Sequence, residues 1–196
     1  LILEYLDDVF RDHKSLSPGT AQGRARMKLW MRKIDDGIHV ASRTIGVCIV
    51  NRHFYKEAET KKIADYYKKM RDETRKSNDK INTELGLESP LLKPSLQAFK
   101  NLFIEMDNQL GEQAWLAGDK FSLADISLVV YLTRLTSFQM APLWAEQQHL
   151  SNWFDRIKNF KSYKKAVDDW GDITAERRQI EGEKSFSKIK SLWDSL

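Results

Sequence analysis

A helix-start signal at Ser122 and Asp125 constrains the fold of this 196-residue chain more than any other feature. Ser122 lies three residues before Asp125, and an apolar run follows directly. In such a capping box, the Ser122 hydroxyl can accept a hydrogen bond from the backbone N–H of Asp125, while the Asp125 carboxylate reaches back to the N–H of Ser122. Phe121 and Ile126 are spaced to form a hydrophobic staple beside it. These four residues predict a firmly capped helix start.

The run that follows the cap, residues 123–135, is apolar on nearly every side. A helix without a polar face is normally buried at the centre of a domain. The run also contains several β-branched residues, which favour strands, so a buried strand is the alternative. The cap and the length of the segment favour a buried central helix.

The whole stretch Trp115-Leu-Ala-Gly-Asp-Lys-Phe-Ser-Leu-Ala-Asp-Ile-Ser127 resembles the signature of the C-terminal helical domain of cytosolic glutathione transferases. The resemblance implies an all-α fold class, a helical bundle around the buried capped central helix, preceded by the last helix of a thioredoxin-like domain. It does not fix the reaction, because the same domain also occurs in non-catalytic proteins.

Four segments follow from the apolar patterning and this resemblance. Residues 1–12 form an amphipathic helix that resembles the last helix of the thioredoxin-like domain, which is otherwise missing from the chain. Residues 13–20, rich in Ser, Pro and Gly, form a linker. Residues 21–170 form the helical domain, and residues 171–196 form an amphipathic tail that we expect to fold back as a lid or brace.

Within the helical domain we expect a long helix over residues 21–43 and, after a bend at Gly46, further helix to residue 54. The charge-rich pattern over residues 56–82 predicts a surface helix, with partner binding as the alternative. Residues 95–110 show the spacing of another amphipathic helix.

Composition and charge exclude several classes of function. Thirty-two basic and twenty-eight acidic residues are interspersed, so we expect no nucleic-acid partner. No apolar run is long enough for a membrane helix, and no signal peptide is recognisable, so we expect no membrane association and a cytoplasmic location. The single cysteine, Cys48, excludes an internal disulfide and lies in an apolar run, which favours a buried inert thiol over a nucleophile.

No metal-ligand spacing, phosphate loop or hydrolase motif is recognisable, so we expect no metal site. The resemblance explains the lack of a catalytic constellation, since this family activates the thiol of glutathione in the thioredoxin-like domain. We therefore expect no catalytic residue in this chain, and glutathione as co-substrate.

The resemblance assigns the electrophile pocket to the first long helix and the tail. Residues 30–39 resemble the corresponding stretch of bacterial beta-class enzymes, although Gly37 replaces a usual acidic residue. The alternative for His39 is an ordinary surface or core histidine, and the alternative for Trp30 is an ordinary core tryptophan. The substrate-binding candidates are Trp30, Ile34, Ile38, His39 and Arg43, and the glutathione-proximal candidates are Asp36 and His39.

The resemblance thus implies a glutathione S-transferase acting on a hydrophobic, aromatic electrophile, as a homodimer. Thr44-Ile-Gly46 and the long charged insertion are similar to the glutathione-dependent β-etherases, which suggests ether or halide cleavage. The alternative is a non-catalytic protein-interaction module with the same helical fold.

Overall fold

The computed structural model describes residues 1–10, 14–169 and 174–196, and the regular structure in these ranges is helical. They contain no strand, only an isolated antiparallel bridge between Trp115 and Gly118. The predicted all-α class is therefore confirmed. The α-helices are α1 (Ile2–Val9), α2 (Ala21–Lys33), α3 (His39–Gly46), α4 (Arg52–Glu57), α5 (Thr60–Lys69), α6 (Glu73–Leu85), α7 (Leu92–Glu112), α8 (Leu123–Ser137), α9 (Gln148–Lys158), α10 (Lys161–Tyr163) and α11 (Ala175–Asp194).

The helices belong to two compact units. The first comprises the described residues of Leu1–Gly37, Asn101–Arg134 and Trp144–Gly171. Its core is built on the first part of α8, whose Leu123, Leu128 and Leu132 are fully buried. This agrees with the prediction of a buried central helix, and the strand alternative is excluded.

The second unit comprises the described residues of Ile38–Lys100, Leu135–Leu143 and Asp172–Leu196. An unbroken buried run, residues 45–50, contributes much of its core. Cys48 lies in this run and is 1% exposed, and burial raises the pKa of its thiol to about 12. A thiol that stays protonated and shielded is inert, as the apolar surroundings predicted.

The long helix predicted over residues 21–43 is wrong in one respect, because it is broken at Gly37. Gly37 has φ +149°, a conformation that side chains rarely adopt, and it separates α2 from α3. A Cβ at Gly37 would meet nothing within 4 Å. The glycine therefore serves the kink and not the close approach of another group.

Two further expectations between residues 45 and 82 need correction. Gly46 has ordinary helical angles and does not bend the chain; the helix instead widens to a π-type segment over Val47–Asn51. The single charge-rich helix over residues 56–82 is interrupted, and α5 and α6 replace most of it. The break before α6 is fixed by Asp72, whose carboxylate caps α6 by accepting from the N–H of Arg75.

The tail forms α11, a 20-residue helix, although the beginning of the predicted segment, residues 171–173, lies outside the described residues. The apolar spacing of the tail predicts an inner face that includes Ile180, but Ile180 is exposed in the structure. The buried positions are Gly182, Ser185, Ile189 and Trp193. Small residues at 182 and 185 allow a backbone approach that a count of apolar side chains does not detect.

The segment before α2 is held by Asp7 of α1. Its carboxylate accepts from the N–H of Leu16 at 2.8 Å, from the N–H of Ser17 at 3.1 Å and from the hydroxyl of Ser15 at 2.8 Å. Burial raises the pKa of Asp7, but these hydrogen bonds outweigh it and the pKa is lowered. The apolar side chains of α1, among them Ile2, Tyr5 and Val9, are exposed in the structure.

Candidate functional site

The start of α8 is an internally satisfied hydrogen-bond cluster around Asp125. One carboxylate oxygen accepts from the N–H and the hydroxyl of Ser122, at 2.9 and 3.0 Å. The other accepts from the N–H of Leu116 at 3.1 Å and from the indole Nε1 of Trp153 at 2.8 Å. Burial raises the pKa of Asp125, and the four hydrogen bonds oppose that shift.

One detail of this cap differs from the expectation. The Ser122 hydroxyl accepts from the N–H of Ala124 at 3.3 Å and not from that of Asp125. The Asp125 N–H donates instead to the Ser122 carbonyl oxygen at 3.1 Å, and the Ser122 hydroxyl itself donates to the Asp125 carboxylate. Phe121 packs at 5.1 Å, between ring centroids, against both Trp115 and Phe160. The cluster thus shapes and stabilises the fold, and its polar groups are already paired.

A pocket of about 200 Å³ in the second unit is the candidate site, because two predicted site residues, His39 and Arg43, line it. It lies between α3 and α6, hereafter the α3–α6 pocket. Except for Val40, its lining is polar or charged. The lining residues are His39, Val40, Arg43, Thr44, Asp72, Thr74, Arg75, Asn78, Asp79 and Asn82.

Arg43 is the most firmly oriented side chain in this pocket. Its Nε donates to one oxygen of Asp79 at 2.9 Å, and its Nη2 donates to the other, so the pairing is bidentate. Nη2 also donates to the Tyr66 hydroxyl at 3.0 Å. Asp79 is 1% exposed, so the pair has little water around it. Burial lowers the pKa of Arg43, but the contacts with Asp79 and Tyr66 outweigh it, and the pKa is raised further above neutrality.

The Tyr66 hydroxyl has an unusual electrostatic environment. Burial raises the pKa of Tyr66, but hydrogen bonds with Tyr55 and Arg43 and the positive charge of Arg43 outweigh it, so the pKa is lowered. Tyr55 shows the opposite direction, because burial and its hydrogen bond with Tyr66 raise the pKa. The Tyr55 and Tyr66 rings pack with their centroids 5.7 Å apart. The lowered pKa of Tyr66 thus reflects in part its contact with the Arg43 guanidinium.

The predicted site residues are divided between the two units. His39 and Arg43 line the α3–α6 pocket. In the first unit, Trp30 is buried and the Lys33 amino group lies 5.4 Å from its ring centroid, whereas Asp36 is exposed and pairs with Arg32 at 3.3 Å. Ile34 is half-buried and Ile38 is buried.

The sequence pattern did not reveal Asp79 and Tyr66, the partners of Arg43, or Arg75, which lines the same pocket. Asp79, Tyr66 and Arg75 all belong to the charge-rich stretch that was interpreted as a surface helix. Asp79 lies 36 positions after Arg43, and no local spacing links two side chains that far apart. No local pattern marks Asp79 as buried, because the apolar Ile81 lies two positions further on and therefore faces another side of α6.

A second pocket, of about 370 Å³, lies in the first unit at the start of α2. Backbone and side chains of Gly19, Gly23, Arg26, Gly118 and Lys120 contribute to its wall. Among the described residues, no group of three or more acidic, His or Cys side chains could hold a metal ion. Within the same ranges, we find no helix with both the length and the apolar character that crossing a bilayer requires.

Comparison with protein families identifies one matching model. The model of the glutathione S-transferase C-terminal domain matches residues 40–159. A curated relative, glutathione S-transferase TCHQD of Arabidopsis thaliana, is 25% identical over 179 residues. That match covers 85% of this chain and 64% of the relative, so the chain spans less than two thirds of the relative's length.

Solved structures show the same fold. The β-etherase LigF from Sphingobium sp. strain SYK-6 superposes with a TM-score of 0.71 at 20% identity, covering 85% of this chain and 70% of that one. Glutathione S-transferase III in its apo form gives 0.54 at 20% identity, with 84% and 63% covered. FzlA from C. crescentus gives 0.56 at 16% identity, with 91% and 69% covered. Identities this low establish the fold alone.

Proposed function

The chain belongs to the glutathione S-transferase family through its C-terminal domain, and from this premise we propose that it forms the electrophile-binding part of a glutathione transferase. Glutathione is the co-substrate, and its thiolate attacks an electrophilic carbon of a small organic substrate. The forming bond joins sulfur to carbon, and a leaving group departs or an acceptor carbon takes up the electron pair.

The α3–α6 pocket carries this proposal. Two of the five predicted substrate-binding residues, His39 and Arg43, line it, and Arg43 is held there by Asp79 and Tyr66. Small-molecule sites are concave, largely pre-formed and equipped with a few oriented polar groups. A guanidinium fixed by a buried carboxylate is such a group, because its direction does not depend on the ligand.

The group that activates the thiol is proposed to come from a thioredoxin-like domain and not from these 196 residues. Cys48 is unsuited to the task because it is buried and its thiol has a raised pKa. Tyr66 has a lowered pKa, but its hydroxyl is engaged with Arg43. We therefore assign binding and orientation of the electrophile to this domain, and assign no catalytic residue to it.

Conjugation kinetics test the proposal, using the protein made from its complete gene. The rate of glutathione addition to an aromatic chloride is followed by absorbance while either substrate is varied. We expect turnover, and we expect His39→Ala to raise KM for the electrophile several-fold with a smaller effect on kcat. The matched control is His149→Ala, which removes an exposed histidine of the first unit outside the pocket.

Failure of the complete protein to bind glutathione and to turn over electrophiles would refute the proposal. The non-catalytic interaction module would then be the better description. Equal effects of His39→Ala and His149→Ala would refute the assignment of the pocket. The proposal also includes a homodimer, a cytoplasmic location and an aromatic or ether-bearing electrophile. Sedimentation tests the homodimer, and a panel of substrates tests the nature of the electrophile.

A further inference from the structure

We propose that the α3–α6 pocket is a carboxylate subsite, in which Arg43 and Arg75 bind a carboxylate group of the ligand and Asp79 and Tyr66 position the Arg43 guanidinium. The inference rests on the proposed function, because it names the substrate class of the same site: organic electrophiles that bear a carboxylate. It adds a carboxylate to the expected hydrophobic electrophile, and the charged groups of the lining are the reason for that addition.

Both acidic side chains of the lining are already occupied by the chain itself. Asp79 accepts two hydrogen bonds from Arg43 and is almost fully buried. Asp72 accepts from the N–H of Arg75 at 2.9 Å as the cap of α6. Asp79 is therefore unavailable to a ligand, and Asp72 is engaged through one oxygen but has no ion pair with any described residue.

The donors of the pocket, in contrast, are not all used. No partner for the Arg43 Nη1 group is found in the described part of the chain, although the Arg43 side chain is only 22% exposed. The exposed Arg75 side chain forms no ion pair with any described residue either. Two guanidinium groups with unused N–H donors, on facing helices, are suited to an anionic oxygen ligand.

The direction of the free Arg43 donors is set by its other three contacts. Asp79 holds Nε and Nη2 along one edge of the planar group, and Tyr66 holds Nη2 from a second side. Since the guanidinium is planar, fixing this edge also fixes Nη1. Asp79 and Tyr66 are thus positioning residues, and the Tyr66 hydroxyl acts only through Arg43.

Binding of benzoate and benzamide tests the inference, because the two probes have nearly the same shape and differ in charge. Titration calorimetry uses the protein from its complete gene, without glutathione. We expect benzoate to bind about tenfold more tightly than benzamide, since hydrogen bonds to a charged acceptor are roughly twice as strong as neutral ones. This preference should weaken as salt is added.

Two single variants and one control, followed by a double variant, locate the preference for benzoate in the pocket. Arg75→Gln and Tyr66→Phe should each reduce the ratio of benzoate affinity to benzamide affinity to roughly threefold or less. Arg75→Gln removes a positive charge from the pocket, and Tyr66→Phe removes a contact that orients the Arg43 guanidinium. Arg71→Gln is the matched control: it removes an exposed arginine of the same segment outside the pocket, and the ratio should not change.

Replacing Arg43 alone would leave Asp79 buried without its partner and could unfold the protein. The double variant Arg43→Gln with Asp79→Asn removes both charges together and avoids that penalty. We expect it to remain folded by circular dichroism and to lose the preference for benzoate.

Equal affinity for benzoate and benzamide in the unmodified protein would overturn the inference, and so would an equal loss of preference in Arg71→Gln and Arg75→Gln. The two proposals can fail separately. Turnover of an uncarboxylated aromatic chloride tests transferase function without needing a bound carboxylate, and the benzoate titration tests the carboxylate preference without glutathione.

Discussion

Substitution of Gly182 by alanine is expected to loosen the docking of α11 within the second unit. A Cβ at this position would lie 2.3 Å from the carbonyl oxygen of Phe138 and 2.5 Å from its carbonyl carbon. Both are backbone atoms, so no side chain can rotate away to make room. The helix, or the segment after α8 that contains Phe138, has to move.

The magnitude follows from the size of this overlap. Ordinary contact begins near 3.4 Å, so the backbones must separate by about 1 Å. Inserting a group into a packed contact typically costs about 1–3 kcal/mol. Alanine returns about 1 kcal/mol, because glycine is the poorer helix former. Because the overlap is with backbone atoms, the cost falls in the upper part of that range, about 2–3 kcal/mol. We therefore expect a net loss of stability of about 1–2 kcal/mol, with reduced burial of Ile189 and Trp193 further along the same face.

Urea unfolding followed by circular dichroism measures the loss, and hydrogen exchange locates it. We expect faster exchange in α11 of Gly182→Ala. Ser187→Ala is the control, because it also adds a good helix former to α11 but at an exposed position, and it should leave stability equal or slightly raised. If Gly182→Ala proves as stable as the unmodified protein, the close approach to Phe138 does not constrain the tail.

Three further predictions concern the core and the helix ends. Asp125→Asn should lower the free energy of unfolding in urea by roughly 3 kcal/mol. The two carboxylate oxygens accept four hydrogen bonds, whereas the asparagine amide has a single oxygen to accept them. Gln139→Gly should raise the urea midpoint and stabilise by about 0.5–1 kcal/mol, since Gln139 has φ +60° after the end of α8. Cys48 should react with iodoacetamide far more slowly than a free thiol at pH 8, because its pKa is raised to about 12, and the reaction should become fast in denaturant; rapid native labelling followed by mass spectrometry would contradict its burial.

The central helix was predictable from sequence because its determinants are local. Ser122 and Asp125 are three residues apart, and a cap is formed within one turn of chain. The fold class followed from the same stretch. The contact of Trp153 with Asp125 was not predictable in this way, since it joins residues 28 positions apart and depends on how α9 packs.

Helix breaks were predicted less well, because glycine has two opposite uses. Gly37 and Gly46 look alike in sequence, yet Gly37 adopts φ +149° and ends a helix, while Gly46 is regular and buried. The packing on either side decides at which glycine the helix breaks. Helix propensity does not distinguish the two positions, because glycine is equally unfavourable at both. The inner face of α11 was mispredicted for a related reason, since Gly182 is buried by backbone contact and has no apolar side chain to count.

The α3–α6 pocket was only half predictable. His39 and Arg43 were predictable because they lie in the helix expected to line the site, over residues 21–43, whereas Asp79, Tyr66 and Arg75 lie in a charge-rich stretch. In such a pattern most charges face water, and only the fold shows which one is buried. Asp79 differs from its charged neighbours by its 1% exposure, which no sequence pattern reports.

The energetics of the Arg43–Asp79 pair argue for a role beyond stability. Removing two charges from water costs several kcal/mol per ion, and a well-packed apolar pair is commonly at least as stable. A core built for stability alone would therefore gain nothing from this arrangement. Yet the pair lies on the wall of a pocket, and it leaves the Nη1 group of Arg43 without a partner among the described residues. A donor with a fixed orientation at a pocket wall is useful to a ligand, and this is the physical reason for our proposal that the pair serves binding.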